Sequence, residues 1–488
     1  MNWYIVWILA FLALLFAVSL RSSKTVKTAD NYVMGDFSLG FFPICGSVIA
    51  TVTGSAALIG AAGKGFTLGV SYLITSLAFV GFTIATVIVL GPTIRRLRLY
   101  TLPELFARRF GKAAALIPAL ITGLLYMTPT FGMQLVGMAA LLSSVTPIST
   151  FWGVLLGFLV TLAFTMIGGL PSVAWTDAIQ TVVILVGVVL ALVVGIAALG
   201  GPAEVVAATP PQLLEFDSIG GMELLNWFLI FGPFYIVWQT TWQRLTAART
   251  PRIGYSAVTI GFIVSGLVSV VAVLIGIAAL QRFPADTKPD LVYTSFISEI
   301  FPPWLGGLLM VSLVAALLTG ATSFLLSGAI NISKDIYQGW VNPGAGDRKI
   351  LFVSRMSVGA MAVLGLVIAL LIDDIIAIYE LALTFTASTL VMPVLAAMFW
   401  RRATSTGVIV SMVAAAAAAV VWRLSGTPFG LHEIAPGLLV SAITLVTVSL
   451  VSRHSANESV TAYALEGRET PTDESAADHE SRTLSNES

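Results

Sequence analysis

The stretch Ser47–Gly65, SVIATVTGSAALIGAAGKG, decides how the chain folds. It lies in an apolar run fit only for a membrane, yet Thr51, Thr53, Gly54 and Ser55 crowd its middle. Lipid offers no water to satisfy freed backbone groups, so such a cluster is tolerated mainly where a helix unwinds around a cavity or an ion. Small residues also let membrane helices pack closely, and within this stretch alone both readings stand. A second interruption follows at Phe231-Gly232-Pro233-Phe234, ahead of Trp238, Gln239, Thr240, Thr241, Trp242, Gln243 and Arg244. Pro233 removes a backbone donor and clashes with the preceding turn, so a kink or unwinding is expected there. Paired interrupted helices in corresponding positions of two repeats point to the midplane site of a secondary transporter.

The composition agrees with a membrane setting. Hydrophobic residues make up 57% of the 488, charged residues only 10%, and the mean hydropathy is +0.94, where a soluble domain carries about a quarter charged residues. Cys45 is the only cysteine, which excludes an intrachain disulfide or a thiolate metal cluster. His432, His454 and His479 lie outside the apolar spans, so a histidine-ligated metal inside the membrane is not expected.

Met1 to Leu20 is long enough to cross, given that about 20 helical residues span the hydrocarbon. Its positive charges, Arg21, Lys24 and Lys27, follow the apolar run instead of preceding it as in a signal peptide. Twelve more spans follow at about 39–63, 66–94, 113–143, 148–169, 173–200, 222–245, 252–281, 301–333, 350–372, 375–400, 404–423 and 435–452. Thirteen spans place 21 of the 25 Lys and Arg on one side and leave only Lys64, Arg282, Lys288 and Arg423 on the other. That asymmetry orients the N-terminus outside and the C-terminus in the cytoplasm of a multi-pass plasma-membrane protein. The expected fold is therefore all-α and polytopic, with a five-plus-five inverted repeat whose first and sixth core helices are broken. The divisions are 1–38, an extra N-terminal helix and loop; 39–200, the first repeat; 201–221, an external loop; 222–402, the second repeat; 403–452, two further helices; and 453–488, a polar tail read as disordered.

Ionisable residues inside a membrane are costly and default to functional candidates. Asp177 sits at the start of one span, where an acid also suits any helix N-terminus. Glu380 lies about two turns into another, beyond Asp373 and Asp374. The run Thr319-Gly320-Ala321-Thr322-Ser323, with Ser327 and Asn331 beyond it, offers hard oxygen donors suited to an alkali cation; back-bonding of hydroxyls to the i−4 carbonyl is the alternative.

These residues resemble the sodium/solute symporter family. Gly168-Gly169-Leu170, with Ser172 and Trp175-Thr176-Asp177, looks like its signature before the fifth core helix. Ser47 through Gly65 resembles its first core helix, Ser323 to Tyr337 its eighth, and Phe399-Trp400-Arg401-Arg402 the end of its tenth. The resemblance, over about residues 30–450, implies alternating access on the leucine-transporter-like fold and a sodium ion between the first and eighth core helices. Carried over by position, the carbonyls of Ala50, Thr53 and Ala316 and the hydroxyl of Thr319 would hold sodium, with Asp177 on the inward path. The family's second adjacent hydroxyl is Gly320 here, leaving Ser323, Thr322, water or protons through Asp177 or Glu380 to compensate. The substrate would be lined by Gly54, Ser55, Ala57, Ser76, Gln134, Trp238, Gln239, Thr241 and Glu380. Ala57 and Ser76 stand where sugar carriers of the family place amides and acids, and Val52 stands where proline carriers place an acid. Half-helix N-termini favour a carboxylate, so a small organic acid, amino acid or related zwitterion is expected, carried with sodium and with no organic cofactor.

Other classes are a proton-coupled or uncoupled carrier, a transporter-like sensor acting through partners, and a channel or scaffold. Two broken helices and buried acids suit alternating access better than a continuous pore. No nucleophile and base pair suggests an enzyme, no phosphate-cradling glycine loop suggests ATP coupling, and no nucleic-acid partner is expected. Oligomeric state has no signature.

Overall fold

The computed structural model describes residues 2–22, 38–454 and Tyr463, with side chains at 21–22 and 167–175 excluded. The expected polar tail and the loop that carries Lys24 and Lys27 fall almost entirely outside the described residues. Among these the chain is helical throughout, and 11 helices are long and apolar enough to cross a membrane. Phe41–Val52 and Thr150–Met166 are shorter apolar helices, at the places of two of the thirteen expected spans.

Helix α1 (Trp3–Ser22) packs on the later core helices. The deciding stretch forms α2 (Phe41–Val52), an interruption at Thr53–Gly54, a π-turn at Ala56–Gly60 and α3 (Ala61–Leu68). Both readings of its small residues hold, in different halves. Thr53 and Gly54 are the break, whereas Gly63 and Gly65 are packing positions. A Cβ on Gly65 would lie 2.4 Å from the Val273 carbonyl oxygen, and one on Gly63 would lie 2.6 Å from that of Pro289.

Next come α4 (Leu73–Val89), α5 (Gly91–Leu97), α6 (Leu102–Phe110), α7 (Lys112–Leu120), a π-turn and α8 (Thr128–Val145). Helical backbone then runs unbroken through α9 (Thr150–Ala198), 49 residues, instead of stopping between 169 and 173. At 1.5 Å per residue a straight run would measure about 74 Å, more than twice the hydrocarbon thickness, so α9 contains two crossings.

The second interrupted region is α10 (Gly221–Phe231), α11 (Phe234–Val237) and α12 (Gln239–Ala247). Pro233 itself is helical; the extended residue is Trp238, at φ −67° and ψ 104°. The chain continues as α13 (Pro251–Ala279), α14 (Pro289–Ile300) and α15 (Pro303–Ile330), which ends in a π-helical turn (Asn331–Val341). It closes with α16 (Asp347–Leu371), α17 (Ile375–Phe399), α18 (Ser405–Leu424) and α19 (Ile434–Val451). Helices α9 and α15 pack together at the centre, α13 lies along α2 and α3, and the α18–α19 pair leans on α17.

Several arginines of the basic loops cap helix C-termini, where a cation meets the negative end of the helix dipole. Arg109 is fully buried and donates to the carbonyls of Ala396, Ala397 and Trp400 at the end of α17. Arg95 does the same at Leu245 and Thr246, the end of α12. On the opposite face, Asp290 of α14 accepts a hydrogen bond from the Ile375 N–H at 3.3 Å and seats α14 on the start of α17. Burial pushes its carboxyl up to about 6, with the Asp374 charge adding and the Ile375 bond and Lys288 opposing. A folded-state value above the ordinary one means the folded protein binds the proton more tightly. Stability from this group is therefore greatest below pH 4 and declines as pH rises to about 6. Asp290→Asn is expected to stabilise the protein by about 1–2 kcal/mol at pH 7.5 and to leave it unchanged at pH 4, read as thermal unfolding at both pH values.

Candidate functional site

The two interruptions face one another across a narrow cavity. From the first come Thr51, Val52, Gly54, Ala56 and Ala57; from the second, Phe231, Tyr235 and Trp238. Helix α4 and the turn before it add Tyr72, Thr75 and Phe79, α8 adds Met133 and Gln134, and Ser269, Phe324 and Tyr379 complete the wall. The space left for the centre of a water molecule is only about 30 Å³.

Gln134 joins the wall to the break. Its Oε1 accepts the Ser55 N–H at 2.9 Å, a backbone donor freed by the unwinding. Two glycines make room for its carboxamide: a Cβ on Gly54 would lie 2.7 Å from Nε2, and one on Gly320 would lie 3.1 Å from Nε2 and Cδ. The departure at Gly320 thus has a steric reason, since a serine there would crowd this amide. Gln134 Nε2 is buried without a hydrogen-bond partner, a state that costs about 1–3 kcal/mol unless an acceptor arrives.

Aromatic rings enclose the rest. Phe231 packs on Tyr379 with centroids 5.6 Å apart and on Tyr72 at 6.2 Å. Tyr235 packs on Phe79 and on Trp238, at 5.5 and 5.4 Å. The Tyr235 and Tyr379 hydroxyls meet at 3.2 Å and close the belt.

On the basic-loop side of this cavity lie the expected cation ligands. Ala50, Thr53, Ala316 and Thr319 are all fully buried. Thr51 and Ser323 hydroxyls meet at 3.1 Å and tie α2 to α15. Thr319 Oγ1 donates to Gln180 Oε1 of α9, and the Ala315 carbonyl lies equally near, both at 2.8 Å. Gln180 was not singled out from the sequence, although it lies three residues beyond Asp177 and so on the same helix face. Within the signature run, Gly168 to Trp175 have side chains outside the described residues; Thr176 and Asp177 are described and buried.

Asp177 belongs to a chain of contacts across three helices. Arg244 Nε of α12 donates to Ser47 Oγ at 3.0 Å, and Ser47 Oγ donates to Asp177 Oδ2 at 2.8 Å. Arg244, counted from the sequence only among the charges of the basic side, is 2% exposed. Its signal was present, as a charge that directly ends a run of uncharged polar and aromatic side chains. Nearby, Gln239 and Asn331 exchange two hydrogen bonds of 2.9 Å, and Asn331 and Thr101 both donate to Asp335.

Of the expected substrate residues, Gly54, Ala57, Gln134 and Trp238 line the cavity, and Ser55 touches it through Gln134. The structure does not bring Ser76, Gln239, Thr241 or Glu380 to the wall. Successive helical residues point about 100° apart, so Tyr379 faces the cavity while Glu380 turns towards Lys64, Asp374, Glu223 and Glu433. Gln239, next to Trp238, is taken up by Asn331 and by the Leu102 N–H. Ser76 and Thr241 are buried in helix contacts.

Comparison with known proteins adds family evidence. The profile of the sodium:solute symporter family matches residues 32–415. The chain is 26% identical over 471 residues to the osmoregulated proline transporter of Bacillus subtilis (strain 168), covering 92% of this chain and 94% of that protein. It is 26% identical over 458 residues to the sodium/proline symporter of Escherichia coli (strain K12), covering 88% and 89%. Among solved structures, a substrate-bound, outward-open Na+-coupled sialic acid symporter superposes with a TM-score of 0.78 at 17% identity, covering 94% of this chain and 99% of that one.

Proposed function

The chain belongs to the sodium:solute symporter family, and from that premise we propose how its sodium-coupled symport of a small organic solute is carried out. The solute binds between the two interruptions, and the cavity opens alternately to either side. The observation that carries this reading is the carboxamide of Gln134, which spans the freed Ser55 N–H of the first break and the Gly320 step of α15. A solute reaching Gln134 therefore acts on the same two helices that bound the cation site.

Sodium is held by the carbonyls of Ala50, Thr53 and Ala316 and the hydroxyl of Thr319, with Ser323 and Asp177 beside them. Hard oxygen donors of this kind suit an alkali cation. The basic-loop face is cytoplasmic and the N-terminus external in the plasma membrane, as the Lys and Arg distribution favours. The solute is a small amino acid or related zwitterion, a class supported by the proline substrate named for both curated relatives and by the half-helix N-terminus at Ala56 and Ala57.

The test is solute accumulation in proteoliposomes under a sodium gradient, a potassium gradient and a pH gradient. Accumulation only with sodium is expected, and Thr319→Ala should raise the sodium concentration for half-maximal uptake at least tenfold. Uptake that follows the pH gradient and ignores sodium would assign the coupling to protons. Binding without accumulation under any gradient would make the protein a sensor.

A further inference from the structure

We infer that the cavity selects a small carboxylate zwitterion whose ammonium is fully alkylated, a solute of the trimethylammonium-carboxylate class. This rests on the reading that the space between the two interruptions is the solute site. The wall contains seven aromatic rings and no charged side chain. An ammonium that carries N–H groups needs an acceptor for each of them or an opposing carboxylate, and burying it without them is costly. No carboxylate is on the wall, Val52 is apolar, and the hydroxyls there are engaged: Thr75 with the Tyr72 carbonyl at 2.9 Å, Thr51 with Ser323, and Tyr235 with Tyr379. A quaternary ammonium has no N–H to satisfy. Its charge lies on methyl groups, which fit the negative faces of aromatic rings, the arrangement by which aromatic cages recognise such cations.

The other end of the solute is set by Gln134. Its Nε2 is fully buried, lacks a partner and borders the cavity beside the first turn of the half-helix that runs through α3. A carboxylate satisfies that donor and lies at the positive end of the helix. Carboxylate at Gln134 and methylated nitrogen within the rings require a compact molecule, in keeping with a cavity this narrow.

Purified full-length protein in lipid nanodiscs is titrated in sodium and in potassium with four probes: trimethylglycine, glycine, proline and 3,3-dimethylbutanoate. The last has the shape of trimethylglycine with carbon in place of the charged nitrogen. Trimethylglycine is expected to bind in sodium at least tenfold tighter than each of the other three. Phe231→Leu should reduce its advantage over 3,3-dimethylbutanoate to less than threefold, and Phe79→Leu serves if that variant does not fold. Equal binding of 3,3-dimethylbutanoate overturns the proposal in favour of an apolar socket for a carboxylate. Tighter binding of glycine or proline overturns it in favour of an ordinary amino acid. Failure of all four probes also overturns it, and the symport reading is judged separately by whether sodium alone, against potassium, raises the unfolding temperature.

Discussion

Gln134→Leu is expected to weaken solute binding at least tenfold, measured by titration in saturating sodium. The substitution removes an acceptor from the Ser55 N–H, which is buried at the break, and it removes the only free amide donor on the cavity wall. Leaving the N–H unpaired costs about 1–3 kcal/mol, and losing a bond to a charged carboxylate costs about 1.5–3 kcal/mol. The first loss falls on the folded protein and the second on the complex. Gln134→Glu separates them, because it keeps an acceptor for Ser55 and opposes a solute carboxylate with like charge. Its unfolding temperature should stay near that of the parent while its affinity falls as far as that of Gln134→Leu. Retention of affinity within threefold in both variants would remove Gln134 from the site.

Arg244→Met should open the basic-loop face. Arg244 is the cation beside Asp177, and Ser47 lies between them. Deleting one member of a buried charge pair strands the other at a cost of about 3–5 kcal/mol. That cost is borne by the arrangement in which α2, α9 and α12 meet, so the population shifts towards arrangements in which water reaches Asp177. The chain supplies its own reporter. Cys45, its single cysteine, is buried on α2 two residues before Ser47. Its alkylation by a maleimide should speed up at least tenfold in Arg244→Met. The double variant Asp177→Asn with Arg244→Met carries no stranded charge and should return to within threefold of the parent rate. Unchanged labelling in the single variant would show that these three side chains do not hold this face shut.

The first interruption was legible because its cause is local: Thr53, Gly54 and Ser55 are adjacent in the chain. The second was expected at Pro233, where a local rule pointed, and the helix does stop between Phe231 and Phe234, but the chain breaks again at the extended Trp238, a residue with no such mark. What escaped the sequence was set by contacts between distant helices. Gly320 read as a missing oxygen ligand, and only the approach of Gln134 from α8 shows that a side chain is absent to admit another. Glu380 attracted attention as a buried acid, but helix phase took it off the wall and left Tyr379 there. Arg244 was read only as a charge of the basic side, whereas its hydrogen-bond partner lies 197 residues earlier in the chain.

The only extended pairing among the described residues joins Leu39, just before α2, to Ala248, just after α12. Leu39 N–H donates to the Ala247 carbonyl at 3.1 Å, and Arg249 N–H donates to the Leu39 carbonyl at 2.9 Å. Two half-helices from distant parts of the chain thereby share one backbone anchor. The consequence is kinetic. Separate tethers would let each half swing over its own barrier, giving two relaxation rates and a half-open intermediate from which sodium could escape without its solute. A common anchor favours one barrier and one rate, and with them a fixed ratio of ions to solute in each cycle.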